Sequence, residues 1–102
     1  MLNFNSVLIG STQSEALASF YARVFDRPAD FAEGGYSGWQ VGSAYWTVGP
    51  HSEMAGSARE PARILPNFET EQVKEEFERI KAVGATVVKA PYQMDGMPGW
   101  IA

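Results

Sequence analysis

The sequence predicts an α+β fold made of two successive β-α-β-β-β units, the second one strand short. Three observations carry this expectation. An amphipathic helix pattern occurs twice, with its apolar stripes offset by 56–59 residues. Short segments rich in β-branched and aromatic residues flank each helix pattern. A polar, irregular stretch separates the two halves. A chain of 102 residues with 45% hydrophobic side chains suits one domain with a modest core. Recurrence at a fixed spacing is the mark of internal duplication.

Taken in order, Asn3 to Ile9 reads as a strand. Val7 and Ile9 form its buried face, and Phe4, Ser6 and Leu8 form a mixed face of the kind that walls a cleft. Gly10-Ser11-Thr12 turns the chain. Thr12 with Glu15 has the spacing of a capping box, in which hydroxyl and carboxylate satisfy two free N–H groups at a helix start. Leu17, Phe20, Tyr21, Val24 and Phe25 then make one stripe of a helix, and Pro28 discourages its continuation. Gly34-Gly35, Ser37-Gly38 and Gly42-Ser43 punctuate three short strands near 29–33, 36–41 and 44–48, a β-meander closed by Gly49-Pro50. The first module therefore covers about 1–50, the linker about 51–61 and the second module about 62–102.

In the second module, Ala62 to Phe68 reads as a strand with Pro66 at an edge or bulge. Thr70 or Glu69 is the expected cap of a helix whose stripe is Val73, Phe77, Ile80 and Val83. Gly84 is its left-handed stop. Ala85 to Lys89 is a further strand, Pro91 to Pro98 a loop, and Gly99-Trp100-Ile101-Ala102 begins another strand.

Composition excludes several functions. The net charge is −4, and the 8 Lys and Arg residues are scattered, which disfavours a phosphate-binding nucleic-acid surface. An acidic balance is compatible with a cationic ligand and with plain solubility. With 0 cysteines there is neither a disulfide framework nor a thiolate metal site. The first residues lack a basic start, and no apolar run approaches the roughly 18 residues of a membrane span. A cytoplasmic location is the default expectation. The glycines follow no phosphate-loop or dinucleotide spacing, no Ser/His/Asp arrangement is evident, and the single histidine, His51, falls in the linker.

Phe20-Tyr21-Ala22-Arg23-Val24-Phe25, Asn67-Phe68-Glu69-Thr70-Glu71-Gln72-Val73, Glu78-Arg79-Ile80-Lys81-Ala82-Val83-Gly84-Ala85, Pro91-Tyr92 and Gly99-Trp100-Ile101-Ala102 occur in that order along the chain. In this the sequence resembles the vicinal-oxygen-chelate superfamily of glyoxalases, bleomycin-resistance proteins and dioxygenases. The resemblance implies curved mixed sheets with a helix on the outer face of each, and a site in each cleft. In the superfamily's enzymes His, Gln or Glu on the first and last strands of each module hold a divalent metal that acts as a Lewis acid. Carried over by position, the first ligand falls on Ser6. Its second-module equivalent is Leu65, or Arg63 if a bulge at Pro66 shifts the register. The fourth-strand ligand lies among Tyr45, Trp46 and Thr47. None of these is a good ligand, and the D-P-D-G-N turn and last strand of the superfamily are absent from the sequence.

The resemblance therefore points to the metal-free, bleomycin-resistance-like branch, which holds its ligand in clefts at a dimer interface. The expected function is sequestration of a planar aromatic ligand, a cationic one being compatible with the acidic balance, by a cytoplasmic homodimer, with no cofactor, no metal and no catalytic residue. Phe4, Ser6, Trp39, Trp46, Arg63, Tyr92, Met94 and Trp100 are the expected ligand-binding residues. The aromatic rings stack on the ligand, Met94 adapts its shape, and Arg63 either meets an anion or pairs with Glu69 or Glu71. The competing expectations are a metal-dependent lyase, isomerase or dioxygenase, and a non-catalytic truncated interaction domain.

Overall fold

The computed structural model describes all 102 residues, and they divide into two compact units, Met1–Arg59 and Glu60–Ala102. The first unit has the order β1 (Ser6–Gly10), α1 (Ser14–Val24), β2 (Phe31–Glu33), β3 (Tyr36–Val41) and β4 (Ala44–Gly49). Its four strands form one mixed sheet in the order β1-β4-β3-β2. β1 lies parallel to β4, and the other two pairings are antiparallel. The architecture is α+β, as expected from the sequence, and all four first-unit strands fall where its patterning places them.

Turn chemistry explains the meander. Gly34 and Gly35 join β2 to β3 with φ of 62° and 87°. Two central residues with positive φ are what a type I′ hairpin turn requires, and glycine adopts them without a side-chain clash.

α1 starts one residue later than the capping-box spacing implies. The Ser11 hydroxyl accepts the Gln13 N–H at 2.9 Å, closing a tight turn. Gln13 becomes the N-cap, and no side chain caps the helix. Glu15 is then the second helical residue, one position short of where a reciprocal carboxylate has to stand. The helix ends on a Schellman motif. Arg27 N–H donates to Ala22 carbonyl at 3.1 Å and Asp26 N–H to Arg23 carbonyl at 3.3 Å. Asp26 takes the left-handed position at φ 56°.

One face of the sheet packs under α1. Trp39, Trp46 and Val48 are 1%, 7% and 0% exposed and form the core. Val7, Ile9 and Val41 from the strands, Leu17, Ala18, Tyr21 and Ala22 from α1, and its C-cap Phe25 pack against them. Ala18 and Ala22 let the helix approach closely. Trp39 and Trp46 are direct cross-strand partners. The Tyr21 and Trp46 ring centroids are 5.2 Å apart, and those of Phe25 and Trp39 5.6 Å. Aromatic pairs at such separations add about 0.5–1.5 kcal/mol each beyond area burial. The Trp39 indole also donates to the Arg27 carbonyl at 3.1 Å. A short clamp seals this edge: Asp30 accepts from Arg27 at 2.5 Å and from the Gln40 N–H at 2.6 Å, and Arg27 also donates to the Gln40 carbonyl.

The second unit contains a single 3-10 turn over Pro61–Arg63 and one α-helix, α2 (Val73–Ala82). The strands expected at Ala62–Phe68 and Ala85–Lys89 are not formed, and only an isolated bridge, Tyr92 with Ile101, marks the expected start of a later strand. Pro61 and Pro66 contribute no ladder donor. The Gln72 N–H donates to the Thr70 hydroxyl at 3.1 Å, which makes Gln72 rather than Thr70 or Glu69 the N-cap. The predicted stripe Val73, Phe77, Ile80 and Val83 is half-buried, and no residue of this unit is fully buried.

Candidate functional site

Strand alternation sends Ser6 and Leu8 of β1, Tyr45 and Thr47 of β4, Tyr36, Gly38 and Gln40 of β3, and Phe31 and Glu33 of β2 to the face opposite α1. No helix of the first unit covers this face. Two glycines shape it. The Phe31 ring lies over Gly38, where an added Cβ would stand 2.3 Å from the ring. The Tyr36 ring lies over Gly49, where the corresponding distance is 2.1 Å, and its hydroxyl donates to the Pro50 carbonyl at 3.1 Å. Lying over Gly38 brings Phe31 to a centroid distance of 6.2 Å from Tyr45, the planes tilted by 52°.

Between these rings and the start of β1 lies an open concavity of about 370 Å³, lined by Asn5, Ser6, Phe31, Tyr45 and Thr47. Register explains the grouping: Ser6 is the direct partner of Tyr45, and Thr47 follows on the same face. The site offers two aromatic rings, three hydroxyls and one carboxamide. Further along β1, an added Cβ on Gly10 would meet Met54 Cγ at 2.7 Å and His51 Cβ at 3.1 Å, so the turn after β4 covers the far end of the strand. His51 itself is exposed, and its Nδ1 accepts the Glu53 N–H at 3.2 Å.

Of the residues expected to bind ligand, Ser6 lies in this concavity. Phe4 is exposed just before β1. Trp39 and Trp46 are corrected to core residues. Each shares a strand face with a valine two positions on, and α1 covers that face. Arg63 is exposed in the second unit, and its ion pair is with Glu60 rather than with the expected Glu69 or Glu71. Tyr92, Met94 and Trp100 belong to the second unit. The Lys89 ammonium stands 3.8 Å from the Tyr92 ring centroid, and that of Lys74 stands 3.7 Å from the Trp100 ring. One face of each ring is thus already engaged by a cation of its own unit. The expected ligand-binding set lacked Asn5, Phe31, Tyr45 and Thr47, the last two having been named only for the fourth-strand metal-ligand position. The signal for Phe31 was its place in a short strand opposite a glycine.

No group of three or more His, Cys, Asp or Glu side chains is gathered in the chain. At the concavity an ion would meet hydroxyls and an amide, whereas transition metals in proteins are held by imidazole, thiolate and carboxylate. The lining does not fit such an ion, and no chemical step is derived through one. No helix is long and apolar enough to cross a membrane.

No protein-family profile matches the sequence, and no curated protein matches it. A solved structure described as "conserved domain protein" is similar to this chain, with a TM-score of 0.67 and 20% identity, covering 92% of this chain and 81% of that one. A likeness at that identity shows the fold alone: an α+β chain with a four-stranded mixed sheet and two helices.

Proposed function

We propose that the chain binds a planar aromatic small molecule on the open face of its sheet, without a protein-held metal, in the manner of the bleomycin-resistance-like branch it resembles. The observation that carries this reading is the Phe31–Tyr45 ring pair standing beside Ser6, Thr47 and Asn5 on a face that no helix of the first unit covers. Aromatic walls with a few convergent polar groups are the usual make-up of a small-molecule site. Amide chemical shifts followed through titration with a set of planar aromatic compounds test it. The expected result is perturbation centred on Ser6, Phe31, Tyr45 and Thr47. Phe31→Ala is then expected to weaken binding by about 1–3 kcal/mol, the scale of stacking on a single aromatic side chain. A broad compound set that leaves these four amides unmoved refutes the reading.

The same proposal includes two tandem modules and a homodimer. Supporting the modules, the two helices end alike. In α2, Ala85 N–H donates to Ile80 carbonyl at 3.3 Å and Gly84 N–H to Lys81 carbonyl at 3.1 Å, the Schellman pattern of α1 displaced by 58 residues. The hydroxyl turns at Ser11 and Thr70 precede the two helices in the same way. Supporting the dimer, Ile64 is 75% and Val88 98% exposed, in segments with no ladder partner. Apolar extended chain of this kind is normally covered, and a two-fold axis is the commonest way to cover it. Sedimentation at micromolar concentration is expected to show a dimer of the 11.2 kDa chain, and a clean monomer contradicts it.

A further inference from the structure

We infer that the ligand of the open face is uncharged and meets the sheet through hydroxyl or carbonyl oxygens. The inference rests on the binding reading above and adds the ligand's chemical class. Every lining residue, Asn5, Ser6, Phe31, Tyr45 and Thr47, is uncharged in kind. A hydroxyl or carboxamide both donates and accepts, so this set complements any arrangement of neutral hydroxyls and carbonyls. It supplies no counter-charge. The charges that precede Phe31 in the chain, Asp30 and Arg27, close on each other and on the Gln40 backbone. Glu33 shares the face but stands on the exposed edge strand, outside the concavity.

Where the charged group of an ion meets this lining it exchanges water for neutral partners and finds no counter-charge. At an exposed position the two rings attract a cation only weakly. A neutral aromatic ring gains comparable stacking and keeps its hydrogen bonds, so the balance favours the neutral ligand. The acidic overall charge of the chain is therefore a property of its general surface and not of this site.

Three matched probes test the inference: para-hydroxybenzyl alcohol, para-hydroxybenzoate and para-hydroxybenzyltrimethylammonium. Dissociation constants are read from amide shifts of Ser6, Phe31, Tyr45 and Thr47. The neutral probe is expected to bind tighter than either ion by about fivefold or more, the discrimination that one net hydrogen bond supplies. Its affinity is expected to stay constant as salt is raised, because no ion pair is screened. The Ser6→Ala, Thr47→Val double variant is expected to lose that preference while still binding para-xylene at the same amides. Either ion binding as tightly as the alcohol at these residues overturns the inference and leaves the binding reading standing. No probe moving these amides overturns both.

Discussion

Replacing Trp39 with phenylalanine separates a core role from a ligand role. The indole is 1% exposed, packs 5.6 Å from the Phe25 ring and donates to the Arg27 carbonyl at 3.1 Å. A phenyl ring keeps the stacking partner and removes the donor. Loss of that hydrogen bond costs about 1 kcal/mol. Cutting the indole back leaves on the order of 40 Å³ empty, about 1 kcal/mol at about 24 cal/mol per Å³, and the lost transfer energy of the removed atoms adds to this. A total near 2–3 kcal/mol is large beside the roughly 5–15 kcal/mol of a whole domain. Urea denaturation followed by far-ultraviolet circular dichroism reads it out, with a midpoint lowered by on the order of 1–3 M for a slope of about 1–2 kcal/mol/M. Below the transition, amide shifts on adding a planar aromatic compound are expected to match those of the unaltered chain. A variant with undiminished stability that no longer binds refutes the placement of Trp39 in the core and returns it to the ligand.

Three other outcomes follow from local geometry. Hydrogen bonding from the Gln40 N–H, and then Arg27, holds the Asp30 carboxyl below its usual range. A depressed folded-state pKa gives stability that is present above the unfolded value, about 3.9, and lost as pH falls through the folded one. Asp30→Asn is therefore expected to flatten the acid limb of a stability-against-pH curve below about pH 4, and an unchanged limb refutes the clamp. Gly38→Ala forces the Phe31 ring aside, since the new Cβ meets Cε1 and Cζ, the far end of an exposed ring. Stability is expected to move by under about 1 kcal/mol while aromatic binding falls severalfold, and retained binding argues against the Phe31 wall. Asp26→Gly relieves a left-handed residue at φ 56° and is expected to raise stability by about 0.5–1 kcal/mol in thermal unfolding, a fall in Tm being the opposing result.

The first unit was legible because its signals agree. The Gly34-Gly35 pair, the alternation of Val7 and Ile9, and the Leu17–Phe25 stripe each describe structure that forms locally. The site was less legible because a tryptophan in a strand looks the same from either face. The parity was nonetheless present. Trp39 precedes Val41 by two residues, Trp46 precedes Val48 by two, and Val7 and Ile9 have the same spacing, so each tryptophan belongs with valines on the buried side. Their neighbours Gly38, Tyr45 and Thr47 are then assigned to the open face. The ion-pair partner of Arg63 was not legible because Glu60 lies three residues before it, in what reads as linker.

On the proposed two-module reading, the topology of the first unit says what partner the expected strands of the second would pair with. In the order β1-β4-β3-β2, β1 touches no strand except β4, and it does so in parallel. A first strand therefore gains no ladder from the helix or the two strands that follow it. Its backbone is satisfied only when a fourth strand arrives between it and the third. β4 also brings Trp46 and Val48, two of the three fully packed side chains of the first unit. On the two-module reading, residues 62–68 correspond to β1, and residues 85–89 to β2. Sequence from 60 to 102 offers a helix with its own start and stop, and the Tyr92–Ile101 bridge, but no strand in the β4 position. The same β propensity therefore yields a ladder in one unit and exposed extended chain in the other. Propensity measures fit to a pleated surface, and that surface has to be supplied by neighbouring strands. An appended copy of Ala44–Gly49 behind a type I′ turn tests the argument. It is expected to slow amide exchange in residues 62–68 and to quench the exposure of Val88, and unchanged exchange there shows that these segments do not form strands for a reason other than a missing partner.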